Sequence, residues 1–154
     1  GADIVRLGLE IFSVGGGNKS KYHLKMWRNI TKNTEVPIYM ILDSHGKKEA
    51  EELIFDGKID EDCCIITEKN SIEEYYPKDK LIEAIYAEFG IELTEEELEN
   101  TKARTIKNVL TEKGMKLNGW WKPRLGRTVA ELMTVEEIPN VYQRMIEKIT
   151  FDLG

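Results

Sequence analysis

Apolar positions along this chain follow two rhythms, and the switch between them marks the elements. Val36-Pro37-Ile38-Tyr39-Met40-Ile41-Leu42 is a continuous apolar run rich in β-branched and aromatic residues, entered through a proline that mid-sheet positions exclude. It predicts a buried strand, and it ends abruptly on Asp43-Ser44-His45-Gly46. Leu9 to Val14 alternates as a strand does, and Gly15-Gly16-Gly17-Asn18 turns it into a helix beginning near Ser20. Asp62 to Thr67, with Cys63-Cys64-Ile65-Ile66 inside it, is a third run of strand length that gives way to Glu68-Lys69-Asn70-Ser71-Ile72-Glu73-Glu74.

Elsewhere the helical period prevails. Gly1 to Gly8 reads as the end of a helix capped by Gly8. Residues 47–56 predict a short acidic helix stopped at Gly57, and residues 78–89 a helix with Leu81, Ile82, Ile85 and Phe89 inward. Thr94-Glu95-Glu96-Glu97 has the form of a capping box opening a helix that runs to about Glu112. After the loop from Gly114 to Gly119, Trp120-Trp121-Lys122-Pro123-Arg124 leads into a helix carrying Val129, Leu132 and Met133. Ile138-Pro139 opens a last helix with Val141, Met145, Ile146 and Ile149 at helical spacing.

Three strands separated by helices predict an α/β fold built from parallel βαβ units with right-handed crossovers, a small sheet flanked by helices and continued by a helical C-terminal extension. At 154 residues this is expected to be one domain with a continuous core. In such sheets ligands bind beyond the carboxyl ends of the strands, which makes Asp43 the first candidate site residue. The second and third strands should end on the same sheet edge, so Asp43 and Glu73 are expected to meet there. The competing role for Asp43 is to cap the helix that starts near Lys47.

Composition narrows the classes. The two cysteines are adjacent, point to opposite faces if they lie in a strand, and lack zinc spacing; they read as small hydrophobes of a reduced, cytoplasmic protein. No apolar stretch approaches ~20 residues and no signal-peptide pattern is present, so a membrane partner is not expected. The formal net charge of -6 is unevenly spread. Residues 1–48 carry 8 Lys/Arg against 4 Asp/Glu, residues 49–99 carry 4 against 18, and residues 102–127 carry 8 against 1. Two basic segments flanking an acidic one suit a polyanion held on one side of the molecule. Lys21, Lys25, Arg28 and Lys32 share one face of the helix after the glycine turn, beside Lys19 in that turn, and form a stripe suited to a nucleic-acid backbone. The turn itself has neither P-loop nor GxGxxG spacing.

Taken in order, three motifs resemble the Toprim domain of the OLD (overcoming lysogenization defect) family of ATP-dependent endonucleases. They are the strand with its Gly15-Gly16-Gly17-Asn18-Lys19 turn, the strand ending in Asp43-Ser44-His45, and Ser71-Ile72-Glu73-Glu74-Tyr75-Tyr76-Pro77. Lys122-Pro123, followed by an alanine-containing helix, and Ile138-Pro139 extend the likeness, which covers most of the chain. The resemblance implies one Toprim-like domain over 1–154 that starts after the family's first strand, with that strand's glutamate and the ATPase part outside this sequence.

The implied activity is divalent-metal-dependent cleavage or nicking of DNA. Carried over residue by residue, the catalytic positions are Asp43, Glu73 and Lys122, the Mg²⁺ or Mn²⁺ ligands Asp43 and Glu73 with His45 at the rim, and the DNA contacts Lys19, Lys21, Lys25, Arg28 and Arg124. The implied partners are DNA, an ATPase domain or subunit of the same system, and a second copy of the chain. His45 stands where the family has a second aspartate, which lowers the local negative charge and suits Mn²⁺ better than Mg²⁺. That departure sustains an alternative, a degenerate, non-catalytic Toprim module that binds nucleic acid or a protein partner. A phosphoacceptor receiver domain requires an acidic pair after an early strand, and nothing between Leu9 and Gly17 supplies one.

Overall fold

A computed structural model describes residues 37–153 together with Tyr22 and Met26, both helical. The expected strand at 9–14, the glycine turn and Lys19, Lys21, Lys25 and Arg28 lie outside the described residues. The described residues form a mixed α/β structure with five further helices and a two-stranded parallel sheet. Two compact units result, one comprising 1–68 with 140–154 and the other 69–139.

In the first unit, β1 (Met40–Leu42) pairs in parallel with β2 (Cys64–Ile66), in the register Met40 to Cys64, Ile41 to Ile65 and Leu42 to Ile66. Thr67 N–H continues the ladder by donating to Leu42 O at 2.8 Å. The carboxyl ends of both strands therefore share one edge, as the crossover argument requires. Between the strands runs α1 (Lys47–Phe55), which seats Ala50 and Leu53 inward. Leu53, Ile59 and Cys63 form the centre of this unit's core, joined by Ile38, Tyr39, Met40, Ile54 and Cys64. β1 is shorter than the apolar run that predicts it and less enclosed: Leu42 is buried, but Ile41 is 40% exposed. The chain closes with α5 (Asn140–Leu153), which buries Met145 and packs against the turn at Glu61–Cys63.

The second unit is helical. A 3-10 turn at Ile72–Tyr75 leads through Pro77 into α2 (Lys78–Phe89), where the missing proline N–H costs no intrahelical bond and Asp79 complements the helix dipole. α3 (Ala103–Glu112) buries Ile106 and Leu110, and α4 (Trp121–Leu132) buries Trp121, Leu125 and Val129. α2 packs directly on α4. Their shared core contains Leu81, Ala84, Ile85, Leu98, Ile106, Leu110, Leu125 and Val129, and each large aliphatic there contributes about 1.5–3 kcal/mol by leaving water.

Gly126 on α4 lies against Tyr76, where an added Cβ would meet the phenol oxygen at 2.7 Å. The expected capping box at Thr94 forms, with Glu97 N–H donating to Thr94 Oγ1 and Thr94 N–H to Glu97 Oε2, but it closes only a turn. The helix expected from that point begins instead at Ala103. Leu98 explains the difference, because a fully buried side chain there anchors the intervening segment to the core.

Candidate functional site

Asp43 follows the last residue of β1 and takes the capping role: its Oδ1 accepts the His45 N–H at 3.1 Å, which fixes the 3-10 turn Ser44–Gly46. What it caps is this turn, and α1 continues from it at Lys47. Gly46 is buried at the end of the turn, and an added Cβ would lie 2.9 Å from Leu42 Cβ, so a side chain there would push the turn off the strand. Sequence-local sterics thus hold Asp43 and His45 at the carboxyl edge of the sheet. His45 Nδ1 lies 3.9 Å from Asp43 Oδ1, and both side chains reach solvent.

Glu73 and Lys122 are brought together in the other unit. The Lys122 ammonium lies 2.8 Å from Glu73 Oε1, with the lysine side chain 47% exposed and that of Glu73 only 6%. Burial pushes the Glu73 carboxyl up, but hydrogen bonds from Lys122, from its own backbone N–H and from Ser71 outweigh it, so the group stays below the usual carboxylate range. Lys122 also lies over the Trp121 ring, 5.7 Å from its centroid. Both contacts follow from the first turn of α4, where Pro123 sits without breaking the helix because first-turn N–H groups have no intrahelical acceptor.

Arg124, expected as a DNA contact, donates through Nε and Nη2 to Glu88 Oε2 at 3.1 and 2.7 Å. Thr128 donates to the other Glu88 oxygen, so α2 and α4 are tied by one carboxylate. Nothing in the sequence pattern singles out Glu88, although Arg124 and Thr128 four residues apart share a helix face. A second cluster, also not anticipated, joins Tyr39, Asp62, Lys148 and Asp152. Tyr39 donates to Asp152 at 2.7 Å, and Lys148 lies 2.7 Å from Asp152 and 2.9 Å from Asp62.

Among the described residues no group of three or more His, Cys, Asp or Glu side chains gathers in a form that holds a metal. A hydrated Mg²⁺ or Mn²⁺ asks for less, since one or two protein ligands suffice when water completes the shell. Asp43 fits that requirement by donor type and exposure, and the exposed His45 imidazole beside it suits Mn²⁺ rather than Mg²⁺. Glu73 differs, because an ammonium already answers its charge. No protein-family model, curated protein or solved structure matches this chain. Cys63 and Cys64 are free, and burial pushes both thiols up, away from the reactive thiolate. Among the described residues no helix is long and apolar enough to cross a membrane.

Proposed function

We propose that this chain is the Toprim part of an OLD-type nuclease and acts on DNA phosphodiesters with a divalent cation. The observation that carries the reading is the Glu73–Lys122 pair: two residues that the resemblance assigns to the reaction, far apart in sequence, lie 2.8 Å apart. The parallel β1–α1–β2 unit with Asp43 directly after β1 supports it, since this is where such sheets present metal-binding carboxylates.

In this reading Asp43 holds the cation with His45 beside it. When bound, the cation would supply Lewis-acid stabilisation of phosphate charge and make the attacking water more acidic. Asp43 keeps its geometry through the His45 N–H. Glu73 acts as a positioning residue, restricting the Lys122 ammonium so that its charge is aimed rather than free to wander. A preorganised cation of this kind stabilises negative charge that develops on a transferring phosphate.

A second reading draws on the same pair. A buried carboxylate neutralised by lysine is also the form of a purely structural ion pair, which is what the degenerate module that binds without cleaving would contain. Metal binding at Asp43 separates the two. Titrating Mn²⁺ into the protein should broaden the NMR signals of Asp43 and His45 first, and Asp43→Ala should abolish that selectivity. Equal broadening in both proteins removes Asp43 from any metal site and leaves the degenerate reading.

A further inference from the structure

The concavity along α2 and α4 contains none of the residues proposed for cation binding or cleavage, and its lining, which includes the expected DNA contact Arg124, is chemically distinctive. It is an open depression of about 650 Å³ lined by Glu88 of α2 and by Trp120, Arg124, Arg127, Thr128 and Glu131. Trp120 sits at the N-cap of α4 with 72% of its surface exposed, whereas the adjacent Trp121 is buried in the core. A flat apolar ring of this size left in water gains by being covered, and it forms part of the concavity's lining.

The walls supply polar groups of both kinds. Two guanidinium groups face two carboxylates, so the lining has no net charge and a phosphate gains little there. Arg124 is held by Glu88 and lies over the Phe89 ring at 6.0 Å, whereas Arg127, whose Nε donates to Glu131 at 3.3 Å, is largely exposed and free to meet a ligand. Donors and acceptors beside an open aromatic face match a neutral planar heterocycle with hydrogen-bonding edges.

We propose that this concavity binds a nucleobase, stacked on Trp120 and read at its edge by Arg127 and the Glu88–Arg124 pair. The base is supplied by a free nucleoside or by an unpaired nucleotide of a strand. The site requires no metal and no cleavage, so it stands or falls separately from the nuclease reading.

Isothermal calorimetry of the full chain and its variants without divalent metal measures binding, and tryptophan emission of the wild type reports stacking. Guanosine, adenosine, cytidine and thymidine are titrated separately, then a ten-nucleotide single strand, the same strand made abasic, and a neutral oligosaccharide of similar size. Stacking should quench emission with at least one nucleoside or with the base-bearing strand, and Trp120→Ala should weaken that binding about 10- to 100-fold, as loss of one base–aromatic stack does. Trp120→Phe should restore part of it. Quenching by the strand but by no nucleoside identifies the strand as the source and upholds the site; quenching by nucleosides identifies the free ligand as sufficient. Trp120 is exposed, so its replacement should leave thermal unfolding unchanged and any loss is assignable to the ring. Equal binding by the abasic strand, quenching by the oligosaccharide alone, or unaltered binding in Trp120→Ala overturns the proposal.

Discussion

The chemistry of Glu73 turns on one neighbour. A carboxylate this deeply buried is costly unless paired, and Lys122 supplies most of what keeps it ionised. Removing the lysine therefore affects stability as well as phosphate chemistry, a coupling that a surface lysine stacked on an indole would not show. Lys122→Ala should destabilise the protein by about 1–3 kcal/mol in urea unfolding at neutral pH, short of the cost for a fully buried pair because the ammonium is half exposed. The sign of the pH dependence follows from the depressed carboxyl. Its contribution is present above the ordinary glutamate value of about 4.3 and is lost as pH falls through the lower folded value. Wild type should thus lose stability on acidification more steeply than Glu73→Gln. Parallel curves for the two proteins would show that the carboxylate is not held ionised by its surroundings.

At the level of elements, the sequence was most legible where one face of a helix enters a core. Lys78–Phe89 matches its expected range because Leu81 and Ile85 recur at helical spacing and Pro77 and Gly90 bound it. It was least legible where tertiary contacts decide. The Thr94 capping box is real, yet Leu98 holds the following segment to the core and delays the helix to Ala103. Asp43 was legible as a strand-end acid, but the Glu73–Lys122 and Glu88–Arg124 pairings join residues whose proximity no local pattern encodes.

Two element contacts lend themselves to measurement. Gly126→Ala improves helix propensity by about 1 kcal/mol but drives a Cβ into Tyr76 Oη, so a net loss of about 1 kcal/mol is expected. In a Tyr76→Phe background the same change should become neutral or stabilising, and a double-mutant cycle measures the coupling. In the other unit, burial and the hydrogen bond to Asp152 push the Tyr39 phenol up to about 12. Its proton is held more tightly folded than unfolded, so its contribution is intact below about pH 10 and is lost as pH rises toward the folded value. Ultraviolet titration should show one late phenol that disappears in Tyr39→Phe. Ionisation of all tyrosines together would mean that α5 is not tethered through Asp152.

For the molecule as a whole, the proposed function requires a cation at the Asp43 turn and, separately, the Lys122 ammonium held by Glu73. In the proposed reading His45 would set how strongly the turn holds Mg²⁺. A hard oxygen in its place should raise Mg²⁺ affinity, so His45→Asp is expected to bind Mg²⁺ more tightly by calorimetry, and no gain would place that side chain outside the coordination shell. The most direct measurement of the central claim is nicking of supercoiled plasmid by the purified chain in Mg²⁺ or Mn²⁺. The account predicts slow nicking abolished by chelator, lost in Asp43→Ala, and reduced about 10²–10³-fold in folded Lys122→Ala. Absence of metal-dependent nicking in the wild type, or undiminished nicking in Asp43→Ala, would contradict it.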